Sequence, residues 1–435
     1  MKELLSSAGG RTFLTMWLGQ SISGFGSRLT IFAFGIWLYK ETGLATPLYL
    51  TALAGFLPGV LLAPIAGVIV DRTDRRTVMI LVNCVHTVVT LAQFFVISNG
   101  QTNLPIILGL LAISSAAETF QWPAESSSMS VLVPPNQLGQ ANGLYAISGG
   151  VGDLIAPIAG ALLVSSIGIA GILLIDLASF AFEFLTLFMI RIPPPTQSVI
   201  GSKMQGGVLA QARDGFKFIT SRPGLLSLLI TFSGVNFLLG IIQNLQVPLI
   251  LSRSTDPNAV GIIASSFGVG VLLGGFYMTS TGGLRPRVHG VFAGIGFSGL
   301  LGTALFGVAQ SVPIWMLANF FAGFLLPVLN GSSQSIWQSK IPPDIQGRVF
   351  AARRQIAQIT SPMAFIIAGP LADLVFKPYF SSNDSWTWLL GGSSGRGYAA
   401  MFVVFGLLTA AWGFAGYLRP AARNVERDIP DAVRG

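Results

Sequence analysis

The chain has 435 residues, of which 52% are hydrophobic and only 10% are charged. Soluble globular domains carry about 25% charged residues, so this composition excludes a soluble globular protein. The mean hydropathy of +0.69 is spread along the chain, which excludes a soluble domain on a single membrane anchor. The one cysteine, Cys84, cannot form an internal disulfide or a multi-cysteine metal cluster.

Apolar runs long enough to cross a bilayer recur along the chain. A spanning helix needs about 20 mostly apolar residues, because the hydrocarbon holds no water for exposed backbone groups. Such runs fall at residues 12–39, 47–70, 77–98, 104–122, 138–165 and 170–190, and again at 224–250, 259–281, 288–309, 313–337, 349–376 and 398–418. The sequence therefore predicts an all-α membrane protein with twelve transmembrane helices in two six-helix bundles.

A polar connector separates the two groups of spans. It starts at Pro193-Pro194-Pro195, which cannot continue a helix. Its later part places Leu209, Phe216 and Ile219 at helical spacing, which predicts an amphipathic helix on the membrane surface, with a soluble linker as the alternative. The predicted domains are an amino-terminal bundle, a connector, a carboxy-terminal bundle and a cytoplasmic tail, at 1–192, 193–223, 224–420 and 421–435.

The basic residues lie mainly on one side of the predicted spans. With the amino terminus inside the cell, 20 of the 25 Lys and Arg residues, Arg353 included, fall on the cytoplasmic side. The opposite side holds Lys40, Arg253, Lys377 and Arg396. This positive-inside pattern predicts a multi-pass cell-membrane protein with both termini in the cytoplasm. The net charge of +8 thus orients helices and indicates no nucleic-acid partner.

The loop between the second and third spans carries the motif Gly67-Val68-Ile69-Val70-Asp71-Arg72-Thr73-Asp74-Arg75-Arg76. It closely resembles the signature loop of the major facilitator superfamily, with Asp74 where many members have glycine. The two halves also echo each other, because an apolar-Pro-Pro-polar turn begins at Val133 and again at Ile341. The resemblance covers essentially the whole chain. It implies the major facilitator fold, two pseudo-symmetric six-helix bundles with a substrate site near the midplane between them.

Further motifs resemble the macrolide-efflux and enterobactin-exporter branch of that superfamily. They are Phe120-Gln121-Trp122-Pro123-Ala124, Leu132-Val133-Pro134-Pro135 and the tail from Tyr417 to Glu426. In the fifth span Gly152, Pro157 and Gly160 match part of an exporter antiporter signature, two of whose glycines are alanine here. The resemblance implies export of an amphiphilic drug, siderophore or related metabolite by alternating access, in exchange for protons. It also implies a functional monomer with no cofactor and no metal.

The signature loop has a physical rationale as a gate. Gly67 permits close helix approach, and Asp71 can interact with Arg72, Arg75 or a facing helix amino terminus. By resemblance, Asp71 would hold the outward-facing state. The alternative is that these charges only solvate a tight loop, and Arg75 and Arg76 serve topology in either case.

Ionisable residues inside spans are costly and by default mark a pathway or a buried partner. Asp153, near the middle of span five, is our first candidate for proton coupling, and Glu118 is the second. Arg28 in span one would poise either carboxyl by pairing with it, and a static ion pair is the alternative. Asp176 and Glu183 in span six are left without an assigned role. Span four lacks the buried arginine of many proton-coupled drug exporters.

Polar and aromatic side chains are candidates for lining a substrate cavity, although each is also explained by helix packing. They are Gln20, Gln121, Trp122, Asn236, Gln243, Asn330 and Gln334. The alternatives to an exporter are a lipid or lysolipid flippase or an importer of the same fold, and more remotely a non-transporting scaffold or sensor. No Walker phosphate loop and no His-Glu-x-x-His motif is present, so we predict that the chain is not an enzyme.

Overall fold

The structure, a computed structural model, describes residues 7–100, 103–133, 138–193, 216–254, 256–341, 346–392 and 395–431. Within these residues, twelve helices are long and apolar enough to cross a membrane. This confirms the predicted number of spans. The turns at 134–137 and 342–345, which carry the repeated Pro-Pro motif, lie outside the described residues.

Six long helices form the first half. They are α1 (Ala8–Thr42), α2 (Thr46–Arg72), α3 (Arg75–Ser98), α4 (Leu104–Leu132), α5 (Leu138–Ser166) and α6 (Gly168–Met189). The predicted spans lie within or close to these bounds. Most helices extend beyond the apolar runs, because the polar residues that follow a run continue or cap the helix. Asp74, for example, caps α3 just beyond the apolar part of α2.

Six further spans form the second half. They are α7 (Pro223–Arg253), α8 (Pro257–Thr281), α9 (Arg287–Val308), α10 (Val312–Lys340), α11 (Ala352–Ser381) and α12 (Arg396–Leu418). Three are interrupted, α7 by the 3₁₀ turn Gln243–Leu245 and α9 and α11 by π-helical turns at Ser298–Ala304 and Leu371–Phe376. The interruption in α11 follows Pro370, whose ring and missing N–H disturb the regular ladder.

Shorter helical segments flank these spans. They are Gln346–Gln358, whose second half forms the start of the span α11, Asp384–Trp386, Thr387–Leu390, and in the carboxy-terminal tail α13 (Pro420–Arg423) and α14 (Val425–Asp428). Of the predicted amphipathic helix in the connector, residues 216–220 are helical, and residues 208–215 lie outside the described part of the chain. The connector and the domain boundaries therefore stay predictions.

The chain divides into two compact units. The first comprises Met1–Thr42 and Leu50–Gln205, and the second comprises Gly43–Tyr49 and Gly206–Gly435. The core of the first unit includes Phe13, Met79 and Leu187, which are fully buried. The core of the second includes the fully buried Trp337 and Val425.

The short segment Gly43–Tyr49 belongs to the second unit through hydrogen bonds. The carboxylate of Asp373 accepts from the backbone N–H groups of Ala45, at 3.1 Å, and Thr46, at 2.7 Å. It also accepts from the Thr46 hydroxyl at 2.6 Å. Lys377 donates to the Gly43 carbonyl at 2.9 Å. Two side chains of α11 thus hold this segment.

The carboxy-terminal tail packs onto the second unit as well. The Lys340 ammonium, almost fully buried, donates to the carbonyls of Glu426, at 2.7 Å, and Ile429, at 2.5 Å. It also contacts the Asp431 carboxylate at 2.9 Å. In turn the Glu426 carboxylate accepts from the backbone N–H of Val288 at the start of α9. The tail is therefore part of the fold up to Asp431.

Candidate functional site

The first and fifth spans meet through an ion pair. Arg28 on α1 and Asp153 on α5 lie 3.1 Å apart, from guanidinium Nε to carboxylate Oδ1. Arg28 also donates to the backbone carbonyl of Gly24, at 3.3 Å. Both side chains of the pair are open to their surroundings, with 40% of Arg28 and 67% of Asp153 exposed. The structure thus joins two of the three proton-coupling candidates in one ion pair.

The partial antiporter motif in α5 lies next to this pair. A Cβ on Gly152 would come within 3.0 Å of Arg28 Cδ and 3.2 Å of its Nε, so the glycine leaves room for the arginine to lie along α5. A Cβ on Gly160, two turns further on, would meet the Phe32 ring at 3.1 Å. Pro157 lies inside the helix between them. The motif therefore adjoins α1.

Glu118, the remaining candidate, has a partner other than Arg28. Its carboxylate lies 3.6 Å from Nε2 of His86 on α3, and 63% of its side chain is exposed. The His86 ring also packs edge-on against Phe180, with centroids 5.8 Å apart. The structure thus places an imidazole beside the carboxyl of Glu118.

Two of the predicted cavity residues, Gln20 and Gln121, are buried in the first unit. Gln20 accepts a hydrogen bond from the Tyr145 hydroxyl at 2.8 Å. Gln121 donates through Nε2 to Glu125, at 2.8 Å, and to Glu183, at 3.4 Å. The Gln20 amide thus links α1 to α5, and the Gln121 amide links α4 to α6.

Asp176 lies in a second polar cluster of the first unit. Its carboxylate accepts hydrogen bonds from Thr30 at 2.9 Å and from Ser27 at 3.3 Å, both on α1. A Cβ on Gly26 would lie 2.8 Å from the carboxylate, so α1 passes close to α6 here. Hydroxyl donors thus stabilise this carboxyl inside the bundle.

The remaining cavity candidates lie in different settings. Trp122 is 66% exposed, and Gln243 and Asn330 are exposed as well. Asn236 is half-buried and donates to the Ala357 carbonyl, at 2.9 Å. Gln334 accepts from the Arg353 guanidinium at 2.9 Å. These polar side chains do not form a single cluster within either unit.

Arg353 is a residue whose setting the sequence did not indicate. Its charge alone places it among the cytoplasmic basic residues of the sequence. In the structure it lies within α11. Its guanidinium sits over the Trp337 ring, 4.8 Å from the centroid, and donates to Ser333 at 3.2 Å as well as to Gln334. These contacts depend on how α10 and α11 pack against each other, which the sequence alone does not indicate.

The described residues of the signature loop have structural partners. Asp74 caps α3 by accepting from the Thr77 N–H at 3.0 Å, and Arg76 donates to the Leu187 carbonyl at 2.8 Å. Arg75 is buried. Gly67, Asp71 and Arg72 lie in α2, and their side chains lie outside what the structure describes. The gating role of the motif stays a prediction.

The chain matches a known protein family over most of its length. The family model of the Major Facilitator Superfamily matches residues 16–365. The chain belongs to this superfamily. It is therefore a multi-pass membrane transporter with a small-molecule substrate, in a family that is not a family of enzymes.

Curated relatives include named efflux proteins. The chain is 28% identical over 375 residues to macrolide efflux protein A of Streptococcus pyogenes, which covers 83% of this chain and 90% of that protein. It is 24% identical over 372 residues to the multidrug efflux pump Tap of Mycolicibacterium fortuitum, covering 81% and 87%. The predicted likeness to macrolide-efflux proteins is confirmed.

Solved structures show the same fold. A bacterial homologue of the human lysosomal transporter Spinster, in an inward-facing and unoccupied conformation, aligns with a TM-score of 0.72 and 16% identity over 98% of this chain and 99% of that one. The predicted fold class, twelve helices with the major facilitator fold, is confirmed. At this identity the likeness concerns the fold alone.

Proposed function

We propose that the chain exports an amphiphilic small molecule by alternating access in exchange for protons. The names of the curated relatives, macrolide efflux protein A and multidrug efflux pump Tap, support outward transport of an amphiphile. The observation that supports proton coupling is the ion pair between Arg28 on α1 and Asp153 on α5. No metal or cofactor takes part in this proposal.

The pair is suited to proton exchange for electrostatic reasons. An ionised pair inside a bilayer is costly unless water reaches it, so alternating access must bring water to Arg28 and Asp153. Protonation of Asp153 would remove one charge and release Arg28, whereas deprotonation would restore the contact. The pair can therefore have two arrangements, whose balance depends on proton access from either side of the membrane.

The gating motif, the orientation and the oligomeric state belong to the same proposal. Gly67, Asp71 and Arg72 on α2, with Arg75 and Arg76 on α3, form the cytoplasmic gate. Both termini are cytoplasmic, as the excess of basic residues on one side supports. The monomer is the functional unit in this proposal, because both six-helix halves of the superfamily fold lie in one chain.

Export is tested in cells that lack other efflux systems. Cells that produce the chain should accumulate less radiolabelled erythromycin than cells without it, and a protonophore should remove the difference. Labelled lysolipid serves as the second substrate in the same cells. Movement of lysolipid without any change in erythromycin would favour a flippase, and higher erythromycin accumulation would indicate an importer.

A further inference from the structure

Two carboxyl groups share one amide in the interior of the first unit. Nε2 of Gln121 on α4 donates to Oε1 of Glu125, at 2.8 Å, and to Oε1 of Glu183 on α6, at 3.4 Å. Glu118 precedes Gln121 by three residues, so it lies on the same face of α4. We call Glu118, Gln121, Glu125 and Glu183 the acidic site.

This acidic site has more acceptors than donors. Gln121 is only 8% exposed, and its Oε1 has no hydrogen-bond partner among the described residues. An ionised carboxylate accepts about four hydrogen bonds, whereas within the described part of the chain Glu125 accepts from Gln121 alone. Glu183 already accepts from Ser23 and Asn83 as well as from Gln121. A ligand that brings N–H donors would therefore satisfy the amide oxygen and chiefly the carboxylate of Glu125.

The site also has more negative than positive charge. In the part of the chain that the structure describes, no Lys or Arg side chain forms an ion pair with Glu125 or Glu183. The titratable groups that face Glu125 are Glu118, Glu183 and Tyr145, none of which is cationic. His86 lies beside Glu118, and the Arg28 guanidinium, which contacts Asp153, also acts on Glu118 through its charge, so neither cation is a partner of Glu125 or Glu183. Carboxylates inside a span are costly without a positive partner.

An aromatic surface lies next to the carboxylates. Trp122 follows Glu118 by four residues and precedes Glu125 by three, so all three lie along one face of α4. The Trp122 side chain is exposed, as is that of Glu118, and Glu125 is half-buried. An exposed indole offers apolar and cation–π contact, which an organic cation would use and a bare proton would not.

We propose that the acidic site binds the protonated amine of an amphiphilic cation, with Glu125 as its direct partner and Trp122 against its apolar part. Gln121 positions Glu125 and accepts an N–H through its free Oε1, and Glu183 supplies the second negative charge behind it. The inference rests on the proposed function, because it names the substrate class that the exporter takes. It assigns substrate binding to carboxylates other than the one assigned to proton coupling.

The test compares two fluorescent ligands that differ by one charge. Dansylcadaverine carries a protonated amine at pH 7, and its N-acetyl derivative is neutral and similar in shape. Binding to the purified full chain in lipid nanodiscs is measured by fluorescence anisotropy, without a gradient. The wild type should bind the amine at least tenfold more tightly, since a hydrogen-bonded charge contact is worth about a ten- to hundredfold change in affinity.

The variants locate the site. Glu125→Gln should weaken amine binding about tenfold or more and leave amide binding unchanged, and Glu183→Gln should act in the same direction. Glu41→Gln, an exposed position at the end of α1, is the matched control and should behave as the wild type. If Glu183→Gln does not fold, the Glu125→Gln variant, at a half-buried position, and the comparison of the two ligands on the wild type still test whether the acidic site binds the amine.

Three results would overturn the proposal. In the first, the wild type binds both ligands equally or binds neither. In the second, the Glu125→Gln variant keeps the preference for the amine. In the third, Glu125 takes up a proton but the protein shows no preference for the amine. The measurement is independent of transport. An amine preference that Glu125→Gln removes, together with failed erythromycin export, would refute the proposed function and leave the binding site in place.

Discussion

The carboxylate of Asp74 closes the first turn of α3. It accepts from the backbone N–H of Thr77 at 3.0 Å and from the Thr77 hydroxyl at 2.7 Å. Its backbone is extended, as at an ordinary helix N-cap. The acidic residue at this position of the signature loop thus has a local structural role, in which it satisfies an N–H that the helix leaves free.

Substitution of Asp74 tests this role. Asp74→Ala should lower the free energy of unfolding by about 1 kcal/mol, because the cap is lost, and Asp74→Asn should retain most of it. Thermal unfolding of the purified protein in detergent measures the difference. Equal destabilisation by alanine and asparagine would mean that the charge, and not the cap, determines stability at this position.

At the scale of single residues, the sequence predicts which ionisable groups stand out but not all of their partners. A pairing of Arg28 with Asp153 is predictable because few other charges lie inside the spans, and the two side chains do pair. The contact between His86 and Glu118 depends on how α3 and α4 are rotated about their axes. Helical periodicity gives the face of each helix and leaves that mutual rotation open. For the same reason the acidic site emerges only from the structure.

Helices α8 and α10 pack closely against each other at glycine residues. A Cβ on Gly270 or Gly274 would lie only 2.2 Å from a backbone carbonyl oxygen of Phe320 or Phe324. Gly323 on α10 has the same relation to Phe267 on α8. Small residues let the backbones touch, which is how helices associate in a bilayer without help from the hydrophobic effect. Gly270 and Gly274 thus allow α8 to pack tightly against α10.

Two adjacent glycines of α8 provide a matched test of this packing. Gly274→Ala should destabilise the protein by about 1–3 kcal/mol, because the methyl group overlaps α10. A methyl group on Gly275 would have nothing within 4 Å, so Gly275→Ala should be neutral or stabilise by up to about 1 kcal/mol. Melting temperatures of the two variants measure the contrast. Similar shifts in both would contradict the close approach of α8 and α10.

The tail anchored by Lys340 should respond to acid. The hydrogen bond from Lys340 and its positive charge hold the pKa of Asp431 below its ordinary value. Because the folded pKa is the lower one, this contact stabilises the tail above the ordinary pKa and is lost as pH falls through the folded value. The melting temperature of the wild type should therefore exceed that of Asp431→Asn at pH 7. The difference should shrink once the pH falls below the ordinary pKa of about 4, and vanish only below the lower folded pKa.

A second substitution checks the origin of that pH effect. In a Lys340→Met background, Asp431→Asn should change the melting temperature by the same small amount at every pH, because the partner of the carboxylate is gone. A pH-dependent difference that persists in this background would assign the effect to another group, such as Arg287.

For the whole molecule, the bilayer makes much of the architecture predictable from sequence. Because every spanning segment must satisfy its own backbone hydrogen bonds, twelve apolar runs translate directly into twelve helices. Apolar runs do not predict interruptions such as the π-helical turns in α9 and α11, since these turns depend on local packing around residues such as Pro370. The site is less predictable than the fold, because its residues come from helices far apart in the chain.

The central claim at this scale is that Arg28 and Asp153 couple transport to protons. The most direct measurement follows erythromycin flux in proteoliposomes with an imposed pH gradient, for the wild type, Asp153→Asn and the control Glu41→Gln. The gradient should drive flux through the wild type and the control, whereas Asp153→Asn, folded to the same melting temperature, should show flux that ignores the gradient. Gradient-independent flux through the wild type, or gradient-driven flux through Asp153→Asn, would contradict the account.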